Sequence, residues 1–393
     1  MRTALNRIVR PETSIIFRSL HQPSADILNI KDFTINTKEN LSEKTFGSET
    51  VHEASHDAWK ATYNKQTYAV KLMNKARVGE EGQVVTYPFE EAKQQSVLEV
   101  LATKVGRVLC PNQFTEAEVA ADDIGNCYVV SKFIPNALSL RDLRAGNYME
   151  PKDRDESVFY LGKTGDVELR TKTNIPSEYL KLSGDLRNKM QREGFTIADA
   201  LVSGRIDLKM ALYILGEKDE ILNRDGNILI TVKSYNIDAI NKIITPEVKP
   251  VAVDCGLCFG RSSPKEDMVN KAFKLAIREK DSHQMGLELN GLPPSNLKKI
   301  KDNFLKRLVG TYESGAVNDP ITWAARHLDE ATMKTVADMQ TRLTTCYLAG
   351  KCIEANLDKP EKEQEAKLFL KSILEKQRQA TSTINQTNSG ISR

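Results

Sequence analysis

No stretch of this 393-residue chain approaches the roughly 18–20 consecutive apolar residues that a bilayer-crossing helix needs. An excess of one charge is also missing. The 56 basic and 53 acidic residues leave a formal net charge of +3, so bulk attraction to nucleic acid is excluded and any polyanion site must be a local patch. Cysteine is sparse: six residues scattered over the whole length read as reduced thiols of an intracellular, cytoplasmic protein and exclude a disulfide framework. Cys255 and Cys258 have the spacing of a metal knuckle, but no second pair or histidine set completes a tetrahedral zinc site. Internal repeats are absent as well. What remains is 40% apolar residues in a chain long enough to bury a large core and divide into two or three lobes.

The pattern along the chain sets the expected organisation. Residues 1–44 give no firm element and read as an N-terminal arm; Arg2, Arg7, Arg10 and Arg18 with the single acid Glu12 also fit a mitochondrial presequence. Residues 45–137 are strand-rich. Trp59–Tyr63 and Gln66–Met73 flank Asn64-Lys65 as a hairpin, a helix follows over Phe89–Gly106, and strands follow over Glu116–Ala121 and Cys127–Ile134. Residues 138–262 form a second unit with a polar insertion at about 146–178. Helical periodicity dominates from Ser177 onward, over 178–192, 196–203, 207–216, 265–282, 295–310, 329–348 and 360–379, interrupted by strands at Ile228–Val232 and Val248–Val253. Residues 263–380 read as a helical C-terminal region and 381–393 as a disordered tail.

Three short stretches carry chemistry: Tyr68-Ala69-Val70-Lys71-Leu72, then Gly216-Glu217-Lys218-Asp219 running on to Gly226-Asn227-Ile228-Leu229-Ile230, then Val251-Ala252-Val253-Asp254-Cys255-Gly256. Lys71 ends an apolar strand, where its ammonium meets an anion or snorkels to water. On the helix that follows, an apolar stripe of Gln94, Leu98, Leu101 and Val105 has Glu90 and Glu91 at its margins and turns Glu99 away. Glu91 is therefore the expected ion-pair partner of Lys71, with Glu90 second; as first-turn acids, both also serve the helix dipole. Asp219 follows a helix ended by Gly216 and is placed to accept a proton from a hydroxyl. Asn227 opens a strand, where its amide oxygen suits a divalent cation, although Asp225-Gly226-Asn227 is equally ordinary turn chemistry. Asp254 ends a buried strand, a position costly for a carboxylate unless a cation compensates it.

In this order the set resembles the protein-kinase superfamily, and within it the branch of phosphoinositide kinases and HipA-type bacterial kinases, over about residues 45–260. Its Gly-x-x-Asp leading to an Asn-Ile-Leu strand, and its Asp-x-Gly-Leu-x-Phe, here Asp254 to Phe259, carry the likeness. The resemblance implies a two-lobed α+β kinase-like fold with a mostly helical C-terminal extension. It further implies ATP with Mg²⁺ or Mn²⁺ as cofactors, Lys71 on the α/β phosphates oriented by Glu91, Asp219 as catalytic aspartate, and Asn227 and Asp254 as metal ligands. Ser131-Lys132-Phe133-Ile134 would be the hinge whose backbone meets adenine. The chain departs from the family in three places. Only Phe46-Gly47-Ser48-Glu49-Thr50 stands where a glycine-rich loop belongs, and no Ala-Pro-Glu segment follows Asp254. The gap from Asp219 to Asn227 is long, which leaves Asp225, or a pairing of Asp219 with Asn223, as rival assignments. Kinase-like effectors secreted by intracellular bacteria are similar in such departures, and for one of these the compartment would be the host cytoplasm or a membrane surface there.

Beyond Phe259, Lys271, Lys274 and Arg278 share one helix face, and Lys298, Lys299, Lys301, Lys306 and Arg307 cluster on a later helix. Facing each other they would hold an inositol polyphosphate, as an activator, or a phosphoinositide headgroup; the alternative is a solvated basic face. The activity expected is transfer of the ATP γ-phosphate to a protein hydroxyl. Its alternatives are a phosphoinositide kinase, a catalytically dead kinase-like binding module and an adenylyl transferase.

Overall fold

The computed structural model describes residues 27–41, 43–46, 49–52, 56–78, 83–134, 137–139, 159–161, 167–169, 188, 190, 192–197, 200–202, 204–217, 227–256, 258–259, 267–277 and 294–389. It is a mixed α/β architecture, with a sheet-rich N-terminal region followed by a largely helical C-terminal one. The N-terminal strands are β1 (Leu28–Asn29), β2 (Thr34–Asn40), β3 (Glu43–Phe46), β4 (Glu49–His52), β5 (Ala58–Tyr63), β6 (Gln66–Leu72), β7 (Lys75–Val78), β8 (Gln83–Thr86), β9 (Ala117–Ala121) and β10 (Cys127–Lys132). Six of them form one sheet in the order β1-β9-β10-β6-β5-β2, antiparallel except at the β1–β9 edge. The pairs β3–β4 and β7–β8 are separate hairpins.

The β5–β6 hairpin forms as its sequence predicts: Asn64 and Lys65 both take positive φ, the two-residue turn whose twist matches the flanking strands. The expected arm at 1–44 is cut shorter, because β1 and β2 are edge strands of the main sheet from Leu28 onward. Ile30 and Phe33 help to cover the outer face of that sheet, packing with Ala61, Val70, Ala120 and Val130. The β2 strand itself is polar and mostly exposed, and it is held by pairing with β5.

On the inner face lies α1 (Phe89–Leu109), buried around most of its circumference. The segment after it docks on a second sheet: Thr115 N–H donates to Ala252 O at 3.2 Å, and Ala252 N–H to Gln113 O at 2.9 Å. That sheet contains β11 (Leu138–Ser139), β12 (Phe159–Leu161), β13 (Val167–Leu169), β14 (Thr196–Ile197), β15 (Ala200–Val202), β16 (Ile228–Asp238) and β17 (Ile243–Ala252). The insertion expected at 146–178 thus contributes β12 and β13 to this sheet, and the helix expected over 196–203 is replaced by β14 and β15, which run parallel to β17. Ala200–Val202 is a short apolar run that fits either structure, and β17 offers it a hydrogen-bonding edge. The helix expected over 178–192 lies mostly outside the described residues.

The helices are α2 (Arg205–Leu215), α3 (Met268–Ile277), α4 (Pro294–Glu313), α5 (Asn318–Ala325), α6 (Glu330–Glu354) and α7 (Glu363–Ser389). The α7 backbone continues through Ser389, so most of the tail expected to be disordered from 381 is helical. One apolar core runs unbroken from the inner sheet face through α1 and α2 to α6. Among the described residues no helix is long and apolar enough to cross a membrane.

Candidate functional site

Cross-strand pairing places Ala58, Lys71 and Val129 side by side, so they share one sheet face. Val129 belongs to the core that contains α1, and Lys71 therefore projects toward that helix and the end of β17. Its Nζ lies 2.7 Å from Glu99 Oε2 on α1 and 3.1 Å from Asp254 Oδ1, two residues beyond β17. The ion-pair partner is thus Glu99, and the expectation of Glu91 is corrected: Glu91 is exposed on the first turn of α1. A stripe analysis fails on a helix buried nearly all round. The informative signal was a different row, Ala92, Ser96, Glu99 and Thr103, in which small residues at i, i+4 and i+11 flank one acid at i+7. Ser96 and Thr103 turn their hydroxyls back to the carbonyls of Ala92 and Glu99, at 2.7 and 3.0 Å, which leaves Glu99 as the polar group pointing into the cleft.

The three charges hold one another. Burial disfavours every ion here. It pushes the Glu99 carboxyl up to about 7 against the opposing pull of Lys71. For Asp254, burial is outweighed by Lys71 and by the Gly256 N–H, and the carboxyl sits below its ordinary value. The Lys71 ammonium is disfavoured by burial, yet Asp254 and Glu99 together raise it above its ordinary value. It stays charged. Space beside Gly256 is tight: a Cβ there would lie 3.1 Å from Asp254 Oδ1 and 3.2 Å from Glu99 Oε2, so a carboxylate would have to give way.

Asn227 belongs to the same end of the sheet. Ile228 pairs with Ala252, and Val253 N–H donates to Asn227 O at 3.0 Å, so Asn227 and Asp254 leave the ladder next to each other. A carboxylate and an amide are hard oxygen donors of the kind that hold Mg²⁺ or Mn²⁺. Both contacts of the Asp254 carboxylate fall on Oδ1, and the side chain keeps 38% exposure. That combination fits a metal ligand. Asp219, Asp225 and Asn223 lie outside the described residues.

The sequence reading missed two further groups. His56 Nδ1–H donates to Lys75 O at 2.8 Å, and burial followed by the Lys71 charge pushes its imidazole below the usual value. Glu217 is buried beyond the Gly216 end of α2 and accepts from Cys258 Sγ at 3.2 Å. Burial drives the Cys258 thiol well up, so it is inert.

At the expected hinge, Lys132 N–H donates to Glu116 O at 2.8 Å and Phe133 N–H to Thr67 O at 3.0 Å, so neither amide is open to adenine. The Phe133 bond carries the strand pairing one residue past the end of β10. Ser131 stays inside the ladder, opposite Ala69. Beside Phe133 an open cavity of about 540 Å³ is lined by Lys60, Thr62 and Thr67, which share the sheet face of Lys71, and by Lys132. Lys60 Nζ stands 5.0 Å over the Phe133 ring.

The basic residues of the C-terminal region are largely engaged within the chain. Lys298 pairs with Asp302 at 2.5 Å and Asp358 at 2.7 Å, and Arg307 pairs with Asp207 at 2.6 Å. Lys301 is buried, with Nζ donating to Leu275 O and Ala276 O at the end of α3. Lys274, Lys299 and Lys306 are exposed and Lys271 is half-buried, while Arg278 lies outside the described residues.

No family model and no curated protein matches this chain. Among solved structures, that of the Helicobacter pylori proinflammatory kinase CtkA is similar at 13% identity and a TM-score of 0.40, covering 83% of this chain and 98% of that one.

Proposed function

We propose that this protein is an atypical ATP- and metal-dependent kinase that transfers the γ-phosphate to a hydroxyl, with a protein hydroxyl as the acceptor class. The observation that carries this reading is Lys71, fixed between Glu99 and Asp254 with Gly256 closed over all three. A cation held this way is pre-oriented for phosphate oxygens. Glu99 fixes its direction, and Asp254 provides the second anion that keeps it charged until the nucleotide arrives. Asp254 and Asn227 would hold the divalent cation, which when bound neutralises charge on the transferring phosphates. The sheet face above Lys71 and the cavity beside Phe133 supply the room for a nucleoside. Asp219, with Asp225 as the rival, is the proposed group that orients the acceptor hydroxyl.

ATP labelled at either the α or the γ phosphate, incubated with a generic protein and with phosphoinositide vesicles, tests the proposal. Wild type should leave γ label on protein, and both Lys71→Met and Asp254→Ala should reduce it by about 100-fold or more. Label from γ on lipid reassigns the acceptor, and label from α reassigns the reaction to adenylyl transfer. No label with Mg²⁺ or Mn²⁺ refutes phosphotransfer and leaves a catalytically dead kinase-like binding module.

A further inference from the structure

Glu99 reaches Lys71 only while α1 keeps its place, and one contact that holds α1 comes from the helical extension. Gln94 lies on α1, five positions before Glu99. Its amide is gripped at both ends by the corner between α5 and α6: Nε2 donates to His327 O at 3.3 Å, and Oε1 accepts from Asp329 N–H at 3.1 Å. The corner is itself fixed. Asp329 caps α6 by accepting from Thr332 N–H at 2.7 Å, and the His327 ring lies 5.4 Å from that of Trp323. Further along α1, Lys104 stands 4.9 Å over the Trp323 ring while pairing with Glu118 on β9 at 2.8 Å. An amide bonded through both donor and acceptor fixes the rotation of a helix as well as its height. Sliding α1 by a single residue, about 1.5 Å, breaks both bonds.

We propose that Gln94 is a positioning residue, through which the α5–α6 corner holds α1 in the register that keeps Glu99 against Lys71. The helical extension is then part of the phosphate-binding apparatus rather than an appendage: the pair is held by the chain's own fold. The proposal deepens the phosphotransfer reading and rests on it for its catalytic consequence, while its geometry can be tested without nucleotide.

The test is a spin-label distance between α1 and β6, using Glu90→Cys and Gln66→Cys, both at exposed positions. The six native cysteines are buried and stay unlabelled. In Gln94→Met, which keeps the size of the side chain and removes the amide, the distribution should shift or broaden by about 2 Å, the scale of a helix displacement. The kcat for γ-phosphate transfer should fall about tenfold, with the nucleotide KM changed much less. As a control, Glu99→Gln should lower kcat and leave the distance unchanged. A Gln94→Met distribution that superimposes on wild type overturns the proposal, whatever the activity does. If Gln94→Met does not fold, Gln94→Glu, which keeps the acceptor and loses the donor, is measured against the same criterion. A wild type without phosphotransfer sinks the kinase reading, and the distances still decide the clamp.

Discussion

Replacing Glu99 by Gln should stabilise the protein at alkaline pH while impairing it as an enzyme. Glu99 is 3% exposed. Burial first, with Asp254 and Glu217 adding and Lys71 opposing, moves its carboxyl from the ordinary 4.5 up to about 7. Between these values the folded chain binds more protons than the unfolded one, so stability falls as pH rises through that window. By about pH 8 the loss amounts to about 3 kcal/mol, at about 1.4 kcal/mol per pH unit. Gln has the same shape and never ionises. Glu99→Gln should therefore match wild type near about pH 4.5 and exceed it by about 3 kcal/mol at about pH 8, with Lys71 keeping Asp254 as its partner. Urea unfolding at the two pH values measures the difference, and phosphotransfer measured in parallel should drop by about tenfold or more. A variant less stable than wild type at the higher pH would show that the charge pair outweighs burial, and the reasoning would be wrong.

Three other substitutions separate the site from the scaffold. Gly256→Ala places a methyl 3.1 Å from Asp254 Oδ1 and 3.2 Å from Glu99 Oε2; activity should fall about tenfold or more with stability within about 1 kcal/mol, and unchanged kcat/KM would refute the crowding. Gly216→Ala introduces a Cβ at φ +73 against the Arg342 guanidinium at the end of α2. It should cost about 2 kcal/mol or more in thermal or urea unfolding, and a loss below about 0.5 kcal/mol would contradict it. Lys301→Met removes the ammonium that caps Leu275 O and Ala276 O. Stability should fall by about 1–3 kcal/mol with kcat intact, whereas an activator-site role would instead show as a lost response to inositol polyphosphate.

Much of the N-terminal fold was legible because its signals are local. Asn64-Lys65 between two strands of the right pattern gives the β5–β6 hairpin, and the helix at Phe89 follows from its spacing. The β2 strand was not legible: five of its seven residues are exposed, and its stability comes from pairing with β5 along an edge. Helix α1 was legible as a helix but not in orientation. Residues at 100° intervals reveal a buried face only when the opposite face is wet, and α1 has sheet on one side and helices on others. The basic run of α4 likewise looked like one anion site, because charge partners such as Asp207 and Asp358 are far away in the chain.

The sequence alone determined the β5–β6 hairpin and the helix that follows it, the strand that carries Lys71, and the sharp turn after Asp254. These depend on neighbours a few residues apart, where backbone preference and apolar spacing decide the outcome. Only the tertiary structure decided which acid meets Lys71, how Asn227 comes beside Asp254, and that Gln94 ties α1 to the α5–α6 corner. Each of these joins residues far apart in the chain, so none leaves a periodicity to read. Burial then sets their energies, since a charge removed from water must be matched by whatever partner the fold delivers.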